Sequence, residues 1–356
     1  MRFVIRHIMK FGISCASDET LILDYVKDII TLLRKRKHDI ELEEGLSKLL
    51  NADLSETSLS QMDVDMILSI GGAATILRTF RELDGNRIPV LGVSFGDIGF
   101  LAEIDFKEFE KSLLEIEREN YMVEKRTRLD IRIDDKHLPF SLNELTVNAK
   151  KSATVIRYAL IIDDELIWRD SADGVIISTP SGSTGYALSA GGPIVSEGAN
   201  VFVIVPICSL NQTHKPFIVN NKSTIIIKDI SSSSKCQAIV DGRVRVDLNS
   251  DIVSVEIAEV PAYFVRLERD INSRIFHKLR KKYETLDIVP KTAPPSAKFI
   301  YTLLKYEGRL TQKEIIEMTV LPARTVRSSI NYLLKNGLIM KTSSLRDTRQ
   351  HIYLIK

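Results

Sequence analysis

Three structural classes in succession are predicted by this sequence: an α/β domain, a mostly-β domain and a small basic α+β module. Residues 1–123 alternate short apolar strands with helix-patterned stretches, and two of those strands run into glycine turns. From residue 124 to about 270 the pattern becomes many short strands separated by turn signals. Residues 297–356 form a separate helix–helix–helix–hairpin pattern, set apart by Pro290, Pro294 and Pro295.

The first domain is justified element by element. Phe3–Ile5 is apolar, Leu21–Leu33 is helix-patterned, and Met66–Ile70 is a buried strand entering Gly71-Gly72. Ile88–Val93 is a further strand, entering Ser94-Phe95-Gly96. This alternation predicts a parallel sheet with helices on its faces. Ligands of such sheets sit at the carboxyl ends of the strands, where both glycine turns fall.

In the second domain the strand signals are Leu129–Ile133, Glu144–Val147, Val155–Ile162, Gly174–Ser178, Val201–Val205, Ser223–Lys228, Gln237–Val240 and Ile252–Ile257. Asp134-Asp135, Asp163-Asp164, Asn220-Asn221 and Asp241-Gly242 punctuate them, which predicts mostly antiparallel pairing. Arg266–Tyr283 is charged and helix-compatible, and 271–296 reads as a connecting helix with a Pro-rich linker.

Residues 173–195 are the most informative stretch. An apolar strand runs into a turn crowded with hydroxyls and glycines, and a short helix signal, Tyr186–Ala190, follows. Thr179, Ser181, Ser183 and Thr184 offer short donors and acceptors, while Gly182 and Gly185 let a ligand approach the backbone. Ser183 or Thr184 is placed to cap the helix, whose start favours anionic groups.

Hydrophobic content of 44% and charged content of 27% fit a folded globular protein and exclude a disordered chain. The longest apolar run, Val201 to Cys208, is broken by Pro206 and is too short to span a bilayer, so no membrane partner is expected. Arg2, Arg6, His7 and Lys10 are scattered through the first strand pattern rather than forming a leader. Cys15, Cys208 and Cys236 allow neither a disulfide framework nor a Cys-x-x-Cys site, and no metal ligand set is assigned. A cytoplasmic location is expected.

The ordered set Gly71-Gly72-Ala73-Ala74-Thr75, Pro89 to Glu103, Asn143-Glu144, Asp173-Gly174, Thr179 to Tyr186 and Val240-Asp241-Gly242 strongly resembles the NAD kinase family, over residues 1 to about 270. The resemblance implies an α/β nucleotide-binding domain joined to a β-sandwich-like domain, assembled as a homodimer or homotetramer. It implies transfer of the γ-phosphoryl of ATP (or polyphosphate), with Mg²⁺, to the 2′-hydroxyl of the adenosine ribose of NAD. It assigns Gly71, Gly72 and Thr75 to a phosphate loop. Asn143, Glu144, Asp173, Ser181, Gly182, Ser183, Thr184 and Tyr186 go to NAD or NADP binding. These types suit the task, since carboxylates accept ribose hydroxyls, a carboxamide donates and accepts, and a tyrosine ring walls an adenine.

One departure changes the argument. The family motif is Gly-Gly-Asp-Gly-Thr, and Ala73 occupies the position of its catalytic carboxylate. Losing a general base costs about 10²–10⁴ in rate. A second expectation concerns Ala74, which would be strained by roughly 1 kcal/mol if its position needed positive φ. Ser94, Ser181, Gly185 and Arg243 are smaller departures, and Asp97 is the nearest substitute carboxylate by motif.

The C-terminal module reads independently. Phe299, Ile300, Leu303 and Leu304 predict a first helix, Thr311-Gln312-Lys313-Glu314 a capping box opening a second, and Arg324–Lys335 a third. Leu338–Lys341 and His351–Ile355 follow as strands. This order resembles a winged helix-turn-helix domain. Residues 298–356 hold eleven Lys/Arg against four Asp/Glu, while the whole chain is +2. Such a fold would direct Arg324, Thr325, Arg327 and Ser328 to a major groove of double-stranded DNA, with Arg346 and Arg349 on the wing.

Two functions are therefore expected. The first is a dinucleotide-responsive DNA-binding transcription regulator that binds NAD(P) with weakened phosphoryl transfer. The alternative is an active NAD kinase with an accessory module.

Overall fold

A computed structural model describes residues 8–16, 20–95, 101–249, 252–267, 293–319, 321–343 and 351–355. The expectations at Phe3–Ile5, Asp97, most of the 271–296 linker, Arg346 and Arg349 lie outside these residues. The chain divides into two compact units, Met1–Ile275 and Phe276–Lys356.

Unit 1 opens with β1 (Lys10–Cys15), α1 (Thr20–Lys35), β2 (Asp39–Glu43), α2 (Leu46–Leu50) and β3 (Glu56–Thr57). It continues with β4 (Met66–Ile70), α3 (Ala73–Leu83), β5 (Val90–Ser94), β6 (Ile104–Asp105), α4 (Phe109–Glu117) and β7 (Met122–Arg126). With β20 (Ala262–Arg266) these strands form one sheet in the order β3-β2-β1-β4-β5-β20-β7, and β6 pairs with β5. Pairings among β1 to β5 are parallel, as the sequence predicts.

Side-chain alternation splits the two faces. Leu68, Ile70, Leu91 and Val93 join Phe11, Ile13 and the α1 residues Val26, Ile29 and Leu33 on one side. Ile67 and Val90 meet Ile76 and Phe80 of α3 on the other. Both faces are covered, so the strands read as continuous apolar runs.

The next strands are β8 (Leu129–Ile133), β9 (Lys136–His137), β10 (Glu144–Ala149), β11 (Ile156–Ile162), β12 (Glu165–Ala172) and β13 (Gly174–Ser178). The four-residue helix α5 (Tyr186–Ser189) precedes β14 (Val201–Ile207), β15 (Phe217–Asn220), β16 (Ile225–Ser232), β17 (Cys236–Val240), β18 (Val244–Leu248) and β19 (Val253–Ile257). They build two antiparallel six-stranded sheets, β15-β14-β13-β10-β17-β18 and β12-β11-β16-β19-β8-β9. Leu145, Val147, Val175 and Ile177 of the first share one core with Tyr158, Leu160, Ile225, Ile227 and Val255 of the second. The mostly antiparallel expectation agrees with this sandwich.

Two strands do not keep to the expected bounds at 123/124 and 270. β7 straddles the first boundary, and β20 returns to lie between β5 and β7 in the α/β sheet. Arg266 thus ends a strand rather than opening a helix. A period-two pattern says that a segment is a strand; it does not say which sheet will take it.

Unit 2 holds α6 (Pro295–Glu307), β21 (Leu310–Thr311), α7 (Gln312–Thr319), α8 (Ala323–Lys335), β22 (Ile339–Ser343) and β23 (His351–Ile355). The strands pair antiparallel in the order β21-β23-β22. Ala297, Ile300, Leu304, Ile315, Val326, Ile330, Leu333 and Tyr353 make its own core. The capping box is formed: Thr311 N and Oγ1 donate to Glu314 Oε2 at 2.7 and 2.8 Å, and Glu314 N donates back at 3.3 Å.

Candidate active site

Three strand ends converge in the sandwich of unit 1. β10 starts where β13 and β17 finish, with Glu144 opposite Ser178 and Leu145 opposite Val240. Asp241, just past β17, holds the spot together. Its carboxylate accepts from Ser141 Oγ at 2.6 Å and from the backbone N–H groups of Leu142, Asn143 and Glu144 at 3.0, 2.8 and 3.1 Å. Burial pushes this carboxyl upward, against four hydrogen bonds that favour its charged form. The sequence marked Val240-Asp241-Gly242 as a motif and gave Asp241 no role; its role is to fix the backbone of 141–144.

The pair so fixed is left with open valences. Glu144 is 7% exposed, and its Oε2 is buried without a hydrogen-bond partner; Asn143 Oδ1 is buried in the same state. Burial first, and then the Asp241 charge, raise the Glu144 carboxyl to about 8. A buried polar atom without a partner costs free energy and marks a place where a ligand group can bond.

The 179–186 loop closes over this pair. Thr179 N donates to Asn143 O at 2.9 Å and Thr179 Oγ1 to Leu142 O at 2.6 Å. A Cβ at Gly182 would run into the Asn143 carbonyl, and one at Gly185 would stand 3.2 Å from Glu144 Oε2. Glycine is needed here for close approach.

The hydroxyls divide their work. Ser183 Oγ is fully buried, donating to Pro180 O at 2.7 Å and accepting from Val195 N at 3.0 Å. Thr184 Oγ1 donates to Ser181 O at 3.2 Å. Neither caps α5, whose first residue follows Gly185 with no side-chain cap. The expected capping role is therefore corrected, because the loop uses both hydroxyls to hold its own shape. Ser181 Oγ accepts from Arg126 Nη1 at 3.5 Å. That arginine is fully buried, pairs with Glu124 and Glu197, and lies 4.5 Å over the Phe264 ring. No sequence signal pointed to Arg126, since apart from Glu124 its partners Ser181, Glu197 and Phe264 come from distant segments. Tyr186 is 45% exposed at the loop's end.

The second glycine turn belongs to the α/β sheet. Gly71 adopts φ +149°, and a side chain there would strike Thr75. Gly72 then precedes α3 with no side-chain cap, and Ala73 and Ala74 are its exposed first residues. Ala74 has no positive φ, so the expected strain is absent. Thr75 is buried, and Thr79 pins the helix through bonds to Ser14 and Ser69 at 3.0 and 2.9 Å. The two halves of the site meet through Leu142, which packs in one cluster with Ile76 and Phe80 of α3.

Asp173 is not brought to this place. It is exposed at the opposite end of β13, roughly 20 Å along the strand from Thr179 at about 3.3 Å per residue. Arg324, Arg327 and Ser328 are exposed on α8 and Thr325 is half-buried, all within unit 2.

Comparison with known proteins decides the family. Residues 25–121 match the ATP-NAD kinase N-terminal domain, and residues 142–267 match the ATP-NAD kinase C-terminal domain. The chain belongs to the NAD kinase family. It is 37% identical over 275 residues to an NAD kinase of Methanothermobacter thermautotrophicus, covering 76% of this chain and 96% of that one. An NAD kinase from Archaeoglobus fulgidus solved in complex with ATP superposes with a TM-score of 0.64 at 28% identity, covering 76% and 99% of the two chains. Yeast NADH kinase complexed with NADH shares the fold at 24% identity, with a TM-score of 0.69 and coverage of 81% and 90%. Both family matches end before unit 2. Of the two functions expected from sequence, these relatives favour the kinase over the DNA-binding regulator.

Among the described residues no helix is long and apolar enough to cross a membrane. The Mg²⁺ implied by the resemblance finds no cluster of three or more His, Cys, Asp or Glu among them.

Proposed function

We propose that the chain is an active kinase that transfers the γ-phosphoryl of ATP to NAD, yielding NADP. The observation that carries this reading is the pair of buried, unpartnered oxygens, Asn143 Oδ1 and Glu144 Oε2, under the glycine loop of an NAD kinase fold. A nucleoside's amino group and ribose hydroxyls are the donors that would satisfy them. The Gly71-Gly72 turn leads into the uncapped start of α3, whose free N–H groups suit phosphate. Ala73 does not rule out turnover, because phosphoryl transfer depends chiefly on positioning and charge stabilisation. Asp173 stands too far along β13 to join its own chain's site. It reaches a dinucleotide only from a second copy, in keeping with the oligomer that the resemblance implies.

NADP formation from ATP, Mg²⁺ and NAD by the full chain tests the proposal. Turnover of order 1–10³ per second is expected. Dinucleotide binding without turnover would return the protein to the regulator reading.

For unit 2 we propose a winged helix whose α8 binds duplex DNA, supported by the exposed Arg324, Arg327 and Ser328 on one helix face. Replacing both arginines by alanine should lower the salt dependence of binding by about two units of log–log slope. An unchanged slope would remove DNA from the account.

A further inference from the structure

The proposed transfer has to dispose of a proton, and the site's carboxylates differ in their freedom to take it. The turn that faces the phosphates, Gly71 to Thr75, contains no ionisable side chain. Asp241 is saturated by four donors from 141–144 and is committed to holding the backbone. Glu144 keeps one oxygen, Oε2, buried and unpartnered, with Gly185 of the loop beside it, where a Cβ would stand 3.2 Å from that oxygen. Leu142, two residues earlier, packs with Ile76 of α3, which sets this carboxylate at the junction of the nucleoside and phosphate halves.

We propose that Glu144 is the general base of the reaction. This rests on the kinase reading above. The ribose 2′-hydroxyl gives its proton to Glu144 Oε2 as its oxygen bonds to the γ-phosphorus of ATP. The bond from that phosphorus to the β,γ-bridging oxygen breaks, and ADP leaves with the electron pair. The proton returns to water when the products depart. No oxidant, reductant or further reactant is needed.

The environment suits the role. Among the described residues, Asp241 is the titratable group that acts on Glu144, while β13 and the loop bring hydroxyls. Together with burial it lifts the carboxyl to about 8. A base of this strength accepts a proton better than an ordinary glutamate, and its working form is lost as the pH falls.

The test compares four full-length chains: native, Glu144→Gln, Ala73→Asp, and the two changes together. Each is assayed for NADP formation and for NAD binding by calorimetry, with thermal unfolding as a check on folding. The amide keeps the size and the acceptor oxygen but cannot take the proton. Glu144→Gln should lower kcat by 10²–10⁴, with NAD affinity within about threefold. The native kcat/KM should fall tenfold per pH unit below about 8. Adding Ala73→Asp places a carboxylate at the phosphate turn and should restore at least tenfold of the lost rate.

A Glu144→Gln chain within threefold of native kcat overturns the inference and leaves the kinase reading standing. So does a folded double variant as slow as Glu144→Gln, because Glu144 would then be needed for something other than the proton. A native chain that binds NAD and makes no NADP overturns the kinase reading, and the inference falls with it.

Discussion

The two glycine-rich halves of the site are built on opposite plans. The Gly71 to Thr75 turn presents backbone: Gly72, Ala73 and Ala74 are exposed, and nothing stands within 4 Å of a Cβ placed on Gly72. The Asn143-Glu144 half presents side chains, walled in by Gly182, Gly185 and the Asp241 bracket. Backbone N–H groups at a helix start can hold phosphate whatever side chains stand there, so on the kinase reading the first half would tolerate the alanine at position 73. The second half works through particular atoms in a dry place, where each replacement is felt.

The largest break in that contrast should come from Asp241→Ala. It strands Ser141 Oγ and three backbone N–H groups together, and a loss of more than about 3 kcal/mol is expected in chemical denaturation. A loss under 1 kcal/mol would mean that water takes over the bracket. Next comes a matched pair of glycines. Gly182→Ala must push the loop off the Asn143 carbonyl, at about 1–3 kcal/mol. Gly72→Ala, with φ −83° and open space, should cost no more than about 1 kcal/mol, the N-cap preference for glycine over alanine. Equal effects at the two positions would erase the distinction between the halves.

Glu144→Gln sharpens it through pH. The native carboxyl, raised from 4.5 to about 8, favours the protonated folded state, so its contribution is whole below pH 4.5 and is lost as the pH rises to 8. The neutral variant has no such loss. Its stability advantage in thermal unfolding should open between pH 5 and 8 by up to about 1.4 kcal/mol per unit, and level off above. A pH-independent difference would place Glu144 in a wetter setting. The smallest effect is expected from Ala73→Asp without ligand, where a negative group at the start of α3 should add no more than about 1 kcal/mol.

Much of this was legible in the chain. The apolar runs Met66–Ile70 and Ile88–Val93, each entering glycine, set the parallel sheet. The hydroxyl-rich turn after Gly174–Ser178 was recognisable as a glycine-punctuated loop between a strand and a short helix. Less visible was what each hydroxyl does: Ser183 and Thr184 read as ligand donors, and the fold spends both on the loop itself. Their chemistry is the same in either use, and only neighbours such as Val195 decide between them.

By itself, then, the sequence determined the strand and helix periods and the glycines that the tight turns need. Local periodicity fixes which way side chains point, and it is written residue by residue. The tertiary structure alone decided that Asp241 grips residues about a hundred positions earlier, that Arg126 reaches Ser181, and that Asp173 lies exposed just before β13, at the end away from the loop. It also decided the acidity of Glu144. Acidity depends on how much water and how many charges surround a group, and segments distant in sequence supply both.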